Sequence, residues 1–245
     1  MDARVEVREV ALSPPQVVAA TRVACTAPPS DRGELVVVLA HGAGSDRSHP
    51  VLEGVSAAVA DAGHPVWRFN FAYAEAGRRR PDPPARLAAA WRDVAAAARA
   101  AHPQRSLLLG GRSMGGRVAS LLAAEGQPCD GLVLLGYPLH RRRARRDGPP
   151  PAAELRTGHW QALSVPCLFV QGERDALCDL AALESAQHAH LPAGGATTEV
   201  IAGADHAFAV GKRDARGAGA VHAEVAGAVV AWLERGIAGG SFGRG

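Results

Sequence analysis

Six short apolar runs alternate with Ala-rich stretches along this chain: ELVVVLA (34–40), VWRFNF (66–71), SLLLGG (106–111), GLVLLGY (131–137), VPCLFVQG (165–172) and TTEVIAG (197–203). A strand-length run with no polar face must be covered on both sides, as in a parallel sheet. The cover is predicted as helices near 47–62, 84–101, 115–125, 178–190 and 219–236. ARLAAAWRDVAAAARAA is the strongest of these by intrinsic propensity. Alternating strands and helices predict an α/β fold with a mostly parallel central sheet and helices on both faces. VEVREV (5–10) and TRVACTA (21–27) predict an antiparallel hairpin at the sheet edge, ahead of the first βα unit. No repeat or linker divides the chain, so a single domain is expected over 1–238, with GGSFGRG (239–245) as a flexible tail. Residues 140–164 break the rhythm but are too few for a full cap domain.

The third run leads into a cluster of glycines at 110, 111, 115 and 116 around Ser113. Glycine is costly inside regular structure, so the cluster needs a geometric reason. Gly111-Arg112-Ser113-Met114-Gly115 fits G-x-S-x-G, with a strand before it and a helix after it. Such a turn lifts the serine hydroxyl above the sheet in a strained positive-φ conformation. The helix dipole behind it favours an anionic intermediate.

A serine hydroxyl is a weak nucleophile near neutrality and needs a base, which needs an orienting carboxylate. In this topology they follow in the order Ser, Asp, His. Asp175 follows VPCLFVQG and His206 follows TTEVIAG, so both leave the carboxyl edge of the sheet, where open α/β sheets bind ligands. Asp175 is alternatively a helix N-cap, with Glu173 or Asp179 as the acid in its place. Asp205 is too close to His206 in sequence to orient it. For a developing oxyanion, one donor is the Met114 N–H and the second comes from Leu39-Ala40-His41-Gly42-Ala43-Gly44. Ala43 is the chosen second donor and Gly44 the alternative, while His41 braces the loop.

Composition narrows the classes. With 47% hydrophobic and 21% charged residues the chain is an ordinary globular one. A formal charge of +3 is too mild to imply nucleic acid, and no stacking aromatics interleave with the arginines. Cys25, Cys129, Cys167 and Cys178 have neither CxxC nor metal-ligand spacing, and no metal or organic cofactor is expected. No apolar run approaches the roughly 20 residues of a membrane span, and MDARVEVREV has no leader pattern. The expectation is a cytoplasmic protein acting on a small acyl substrate.

Over almost its whole length the chain resembles the α/β-hydrolase superfamily, near the small capless branch of the dienelactone hydrolases. RFNF (68–71), GRRRPDPP (77–84), GGRSMGGR (110–117) and GERD (172–175) carry a narrower resemblance to predicted hydrolases of the KANL type. The dienelactone hydrolases proper use a cysteine nucleophile, so Ser113 departs from them and their substrate does not carry over. The resemblance implies a serine hydrolase that cleaves an ester or thioester through an acyl-enzyme. The rival reading is a non-catalytic interaction module of the same fold with an anionic partner. Arg78 to Arg80 and the run RRRARR (141–146) leave the same sheet edge as Ser113. They are either solvated loops or an electropositive rim for anionic acyl substrates.

Overall fold

A computed structural model describes residues 4–30, 33–142 and 150–242. Its centre is an eight-stranded sheet in the order β1-β2-β4-β3-β5-β6-β7-β8. The strands are β1 (Arg4–Ala11), β2 (Ala20–Ala27), β3 (Leu35–Ala40), β4 (Val66–Phe69), β5 (Ser106–Arg112), β6 (Gly131–Leu135), β7 (Cys167–Gly172) and β8 (Ala196–Ile201). From β4 to β8 every pairing is parallel. The β1–β2 hairpin adds antiparallel to β4 and forms one edge. This is the α/β arrangement expected from the strand–helix alternation, and it is the α/β-hydrolase fold that the resemblance implies, with no separate cap domain among the described residues.

Side chains divide by strand parity. Val36, Val38 and Ala40 of β3 enter one core, while Leu35, Val37 and Leu39 enter the other. The first core lies under α3 (Pro84–Ala101), α4 (Met114–Ala124) and α5 (Leu180–His190), through Trp91, Val94, Val118 and Leu183. The second lies under α1 (Pro50–Asp61) and α6 (Ala218–Ala238), through Val51, Leu52, Val221 and Val225. A one-turn helix, α2 (Ala72–Glu75), follows β4. No helix among the described residues is long and apolar enough to cross a membrane.

Two expectations meet particular outcomes here. The tail expected to be free from 239 is docked at Phe242, which is buried against Trp232 with ring centroids 5.0 Å apart. The Phe242 carbonyl also accepts the Ser106 hydroxyl at 3.0 Å. Residues 243–245 lie outside the described residues. The stretch after β6 forms only two short 3₁₀ turns, Ala152–Glu154 and Trp160–Ala162, with 143–149 outside the described residues. Cys25, Cys129, Cys167 and Cys178 are all free thiols. Burial pushes Cys25 and Cys129 up to about 11 and Cys167 to about 12, far from thiolate chemistry.

Candidate active site

The turn between β5 and α4 explains the glycine cluster. Ser113 has φ 51° and ψ −113°, a conformation that side-chain-bearing residues rarely adopt. Gly111 has φ 146°, and a methyl group there would overlap the Ala40 carbonyl. A methyl at Gly115 would overlap the same carbonyl from the helix side. Side chains on either flank would therefore push the serine turn away from β3. The Ser113 N–H donates to the Leu135 carbonyl at 2.8 Å, which fixes the turn against β6.

Around this turn the structure brings together the three residues singled out in sequence. The Ser113 hydroxyl lies 2.9 Å from His206 Nε2, and His206 Nδ1 lies 2.7 Å from Asp175 Oδ2. With Asp175 ionised, Nδ1 carries the proton and Nε2 is free to accept from the serine. Asp175 has a fully buried side chain. Its Oδ1 accepts the Leu177 N–H at 2.7 Å, and its Oδ2 also accepts Gln171 Nε2 at 2.9 Å. Three donors thus hold the carboxylate in one orientation. Gln171 was not singled out in sequence; its other contacts are the Tyr137 N–H, accepted at 2.8 Å, and the Tyr137 carbonyl at 3.2 Å. The available signal was a polar residue at the end of an otherwise apolar buried strand.

The competing acids have other partners. Asp179 caps α5 by accepting the Ala182 N–H at 2.8 Å, and Glu173 accepts the Gly203 N–H at 2.7 Å. Asp205 accepts the Ala207 and Ala209 N–H groups at 2.8 and 3.0 Å. That closes the turn carrying His206, in which Phe208 is fully buried with φ 58°.

The loop after β3 passes close to Ser113: a methyl at Gly42 would sit 3.4 Å from Ser113 Cβ. Ala43 and Gly44 are exposed on this loop, and Met114 opens α4, where backbone N–H groups have no intrahelical acceptor. The Tyr73 hydroxyl faces the Gly42 carbonyl of this loop at 3.5 Å. His41 does brace the loop. Its Nε2 accepts the Phe71 N–H at 3.1 Å, so Nδ1 carries the proton that it donates to the Gly42 carbonyl at 2.8 Å. Burial lowers its pKa, consistent with a neutral ring.

The RFNF segment proves to be the support of this loop. Asn70 Oδ1 accepts the Arg47 N–H at 2.7 Å, and Arg68 donates to the Arg47 carbonyl at 2.7 Å. Phe71 supplies the N–H to His41. Arg112, the residue before Ser113, donates to the His206 carbonyl at 3.3 Å, while its other Nη lies against Gly42. It ties the two loops that flank the serine.

The two arginine runs differ in what can be seen of them. Arg78 is taken up by Asp82 at 2.7 Å, whereas Arg79 and Arg80 are exposed. Arg141 and Arg142 are exposed at the start of the second run, and Arg143 to Arg146 lie outside the described residues. Among the described residues no group of three His, Cys, Asp or Glu side chains is placed to hold a metal ion.

The family model for an alpha/beta hydrolase domain matches residues 33–234. Among solved structures, the chain is similar to an alpha-beta serine hydrolase homologue from Coxiella burnetii, at 18% identity over 97% of this chain and 98% of that one, with a TM-score of 0.69. It is similar to an a/b serine hydrolase without lid from Xanthomonas campestris, at 21% identity over 95% and 97% of the two chains, TM-score 0.66. A dienelactone hydrolase from Anabaena variabilis matches at 18% identity over 96% and 99%, TM-score 0.70. At these identities the likeness is one of fold. Because the family match spans both the serine turn and the histidine loop, the chain belongs to the alpha/beta hydrolase domain family.

Proposed function

We propose that this protein is a serine hydrolase that cleaves a carboxylic ester or thioester through an acyl-enzyme. The observation that carries the reading is the continuous relay from Asp175 through His206 to Ser113, at 2.7 and 2.9 Å, ending on a strained serine at a helix N-terminus. In this reading Ser113 attacks the acyl carbon while His206 Nε2 takes the hydroxyl proton. The oxygen of the former carbonyl becomes the oxyanion. Collapse of the tetrahedral adduct expels the alcohol or thiol, which takes the proton from His206. Water, deprotonated by the same nitrogen, then attacks the acyl-serine and releases the acid. Asp175 stays ionised, orients the ring and stabilises the imidazolium.

The oxyanion donors in this reading are the N–H groups of Met114 and Ala43. Ala43 is the chosen second donor, exposed on the loop whose Gly42 packs against Ser113, and Gly44 is the alternative. The substrate is a small molecule, and no cofactor enters the steps. Fluorophosphonate labelling with the adduct located by mass spectrometry tests the reading. One adduct on Ser113, absent from Ser113→Ala, is expected. Absence of an adduct on folded protein would overturn it in favour of an interaction module.

A further inference from the structure

β1 is an outermost strand: it pairs with β2 on one side, and no strand among the described residues lies beyond it. The hairpin register continues into Leu12, whose N–H donates to the Ala19 carbonyl at 2.8 Å. In an antiparallel ladder, residues that bond toward the neighbouring strand alternate with residues that bond away from it. The even-numbered residues of β1 therefore direct their N–H and C=O groups at β2. Val5, Val7 and Glu9 direct theirs outward, where a further strand would add. The strand holds no proline, and its register with β2 runs without a bulge from Arg4 to Ala11. Two common guards of a free strand edge are thus absent.

Side chains alternate in the same way. Val10 enters the first core, so Arg4, Glu6 and Arg8 share its face, and Val5 and Val7 lie on the opposite one. Val5 and Val7 are 53% and 57% exposed. Glu6 and Arg8, both exposed, form an ion pair along the strand at 3.3 Å. An open ladder, two uncovered valines and a short alternation of charge therefore lie together on one strand.

Charge selects the occupant. A second copy of the chain would pair antiparallel about a two-fold axis. Outward-bonding residues must face one another, so the axis passes through a residue and its own copy. The registers that keep most of the described strand paired are centred on Val7 and on Arg8. Centring on Arg8 sets two like charges opposite each other. Centring on Val7 sets Glu6 opposite Arg8 of the second copy, and Arg8 opposite its Glu6. These are the non-hydrogen-bonded positions, where facing side chains approach most closely. In that register Val7 faces Val7, with Val5 diagonal to it on the exposed apolar face. About six N–H···O bonds form, two for each facing pair Val5–Glu9, Val7–Val7 and Glu9–Val5. We infer that β1 is a self-pairing edge, through which two copies of this chain join into one continuous sheet centred on Val7. The carboxyl edges of the two sheets then open in opposite directions. Ser113 stays accessible in both copies, and the pairing is independent of the hydrolase reading.

Sedimentation equilibrium of the full chain tests this, with protein from about 1 to 300 μM at low and high salt. Wild type should show a monomer–dimer equilibrium that weakens as salt rises. Glu6→Arg and Arg8→Glu each turn both facing pairs into like charges, and each should weaken the dimer about tenfold or more. The double variant Glu6→Arg/Arg8→Glu should restore it. An equimolar mixture of the two single variants should form a heterodimer at least as tight as the wild-type dimer, because every facing pair is then Arg against Glu. Val7→Pro removes an N–H that points outward, so the monomer should stay folded by circular dichroism while the dimer is lost. Wild type that is monomeric at every concentration would overturn the inference. So would a dimer that survives Val7→Pro, which would place the interface elsewhere. Single charge variants that dimerise as well as wild type, or a mixture that forms no heterodimer, would overturn the Val7-centred register.

Discussion

The two edges of the central sheet are built differently. At the carboxyl ends of the strands, Ser113 and Phe208 are the two non-glycine residues with positive φ among the described residues. Arg112 and Arg117 each hold a buried Nε with no partner at this edge. At the amino ends the polar groups are mostly paired. Leu107 and Asp130 exchange bonds of 2.7 and 2.8 Å, Ser106 donates to Phe242, and Arg105 reaches the Gly33 carbonyl. The exception is His64, whose Nδ1 lacks a partner and whose pKa burial lowers. Backbone strain and unpartnered buried N–H groups thus concentrate where the chemistry is proposed, and the opposite edge contributes stability. Such concentration is the expected trade between function and stability.

Substitutions can break or sharpen this contrast. Ser113→Ala should lower kcat for ester hydrolysis by roughly 10⁶, with the melting temperature level or higher as strain is relieved. A residual rate near wild type would remove the carboxyl edge from catalysis. Asp175→Asn should cost about 10⁴ in kcat, because the amide orients the wrong histidine tautomer. Gly115→Ala forces a methyl onto the Ala40 carbonyl and should destabilise by about 3 kcal/mol, read by chemical denaturation, with activity falling as the turn shifts. Phe242→Ala tests the other edge. It should cost about 2–3 kcal/mol of stability while kcat/KM is kept, and a large fall in kcat/KM would collapse the distinction between the edges.

The smallest expected effect is on the pH dependence of stability. Burial and neighbouring cations hold His49 and His159 down to about 4, below the roughly 6.5 of an unfolded histidine. Between these values the unfolded chain binds more protons than the folded one, so stability falls as pH falls. It is fully present above the unfolded value. His159→Gln should flatten the fall in melting temperature between about pH 6.5 and pH 4. An unchanged slope would show that His159 does not contribute.

Much of the site was legible because each of its residues follows a strand, apolar and buried before Ser113 and Asp175, half-exposed at the sheet edge before His206. Parallel strands end on one edge, so Ser113, Asp175 and His206 were bound to meet there once the strands were recognised. The role of RFNF was not legible. Asn70 and Phe71 act by holding Arg47 and His41, more than twenty residues earlier, through backbone contacts that leave no periodic trace. Phe242 was hidden by its glycine-rich flanks. Gly236 leaves the space that its ring fills, since a methyl there would overlap the ring.

The arginines mark the limit most clearly. Arg78 and Arg117 are the same residue type, each near a site loop, yet one pairs with Asp82 while the other keeps a buried Nε without a hydrogen-bond partner. By itself the sequence determined the strand and helix order, the serine turn and the order of its partners, because apolar periodicity and glycine sterics are local. Only the tertiary structure decided which acid orients His206, which side chains brace the β3 loop, and which of the described arginines pair with an acid. Those outcomes depend on distances of a few ångströms between segments far apart in the chain, where burial sets how strongly each charge is felt.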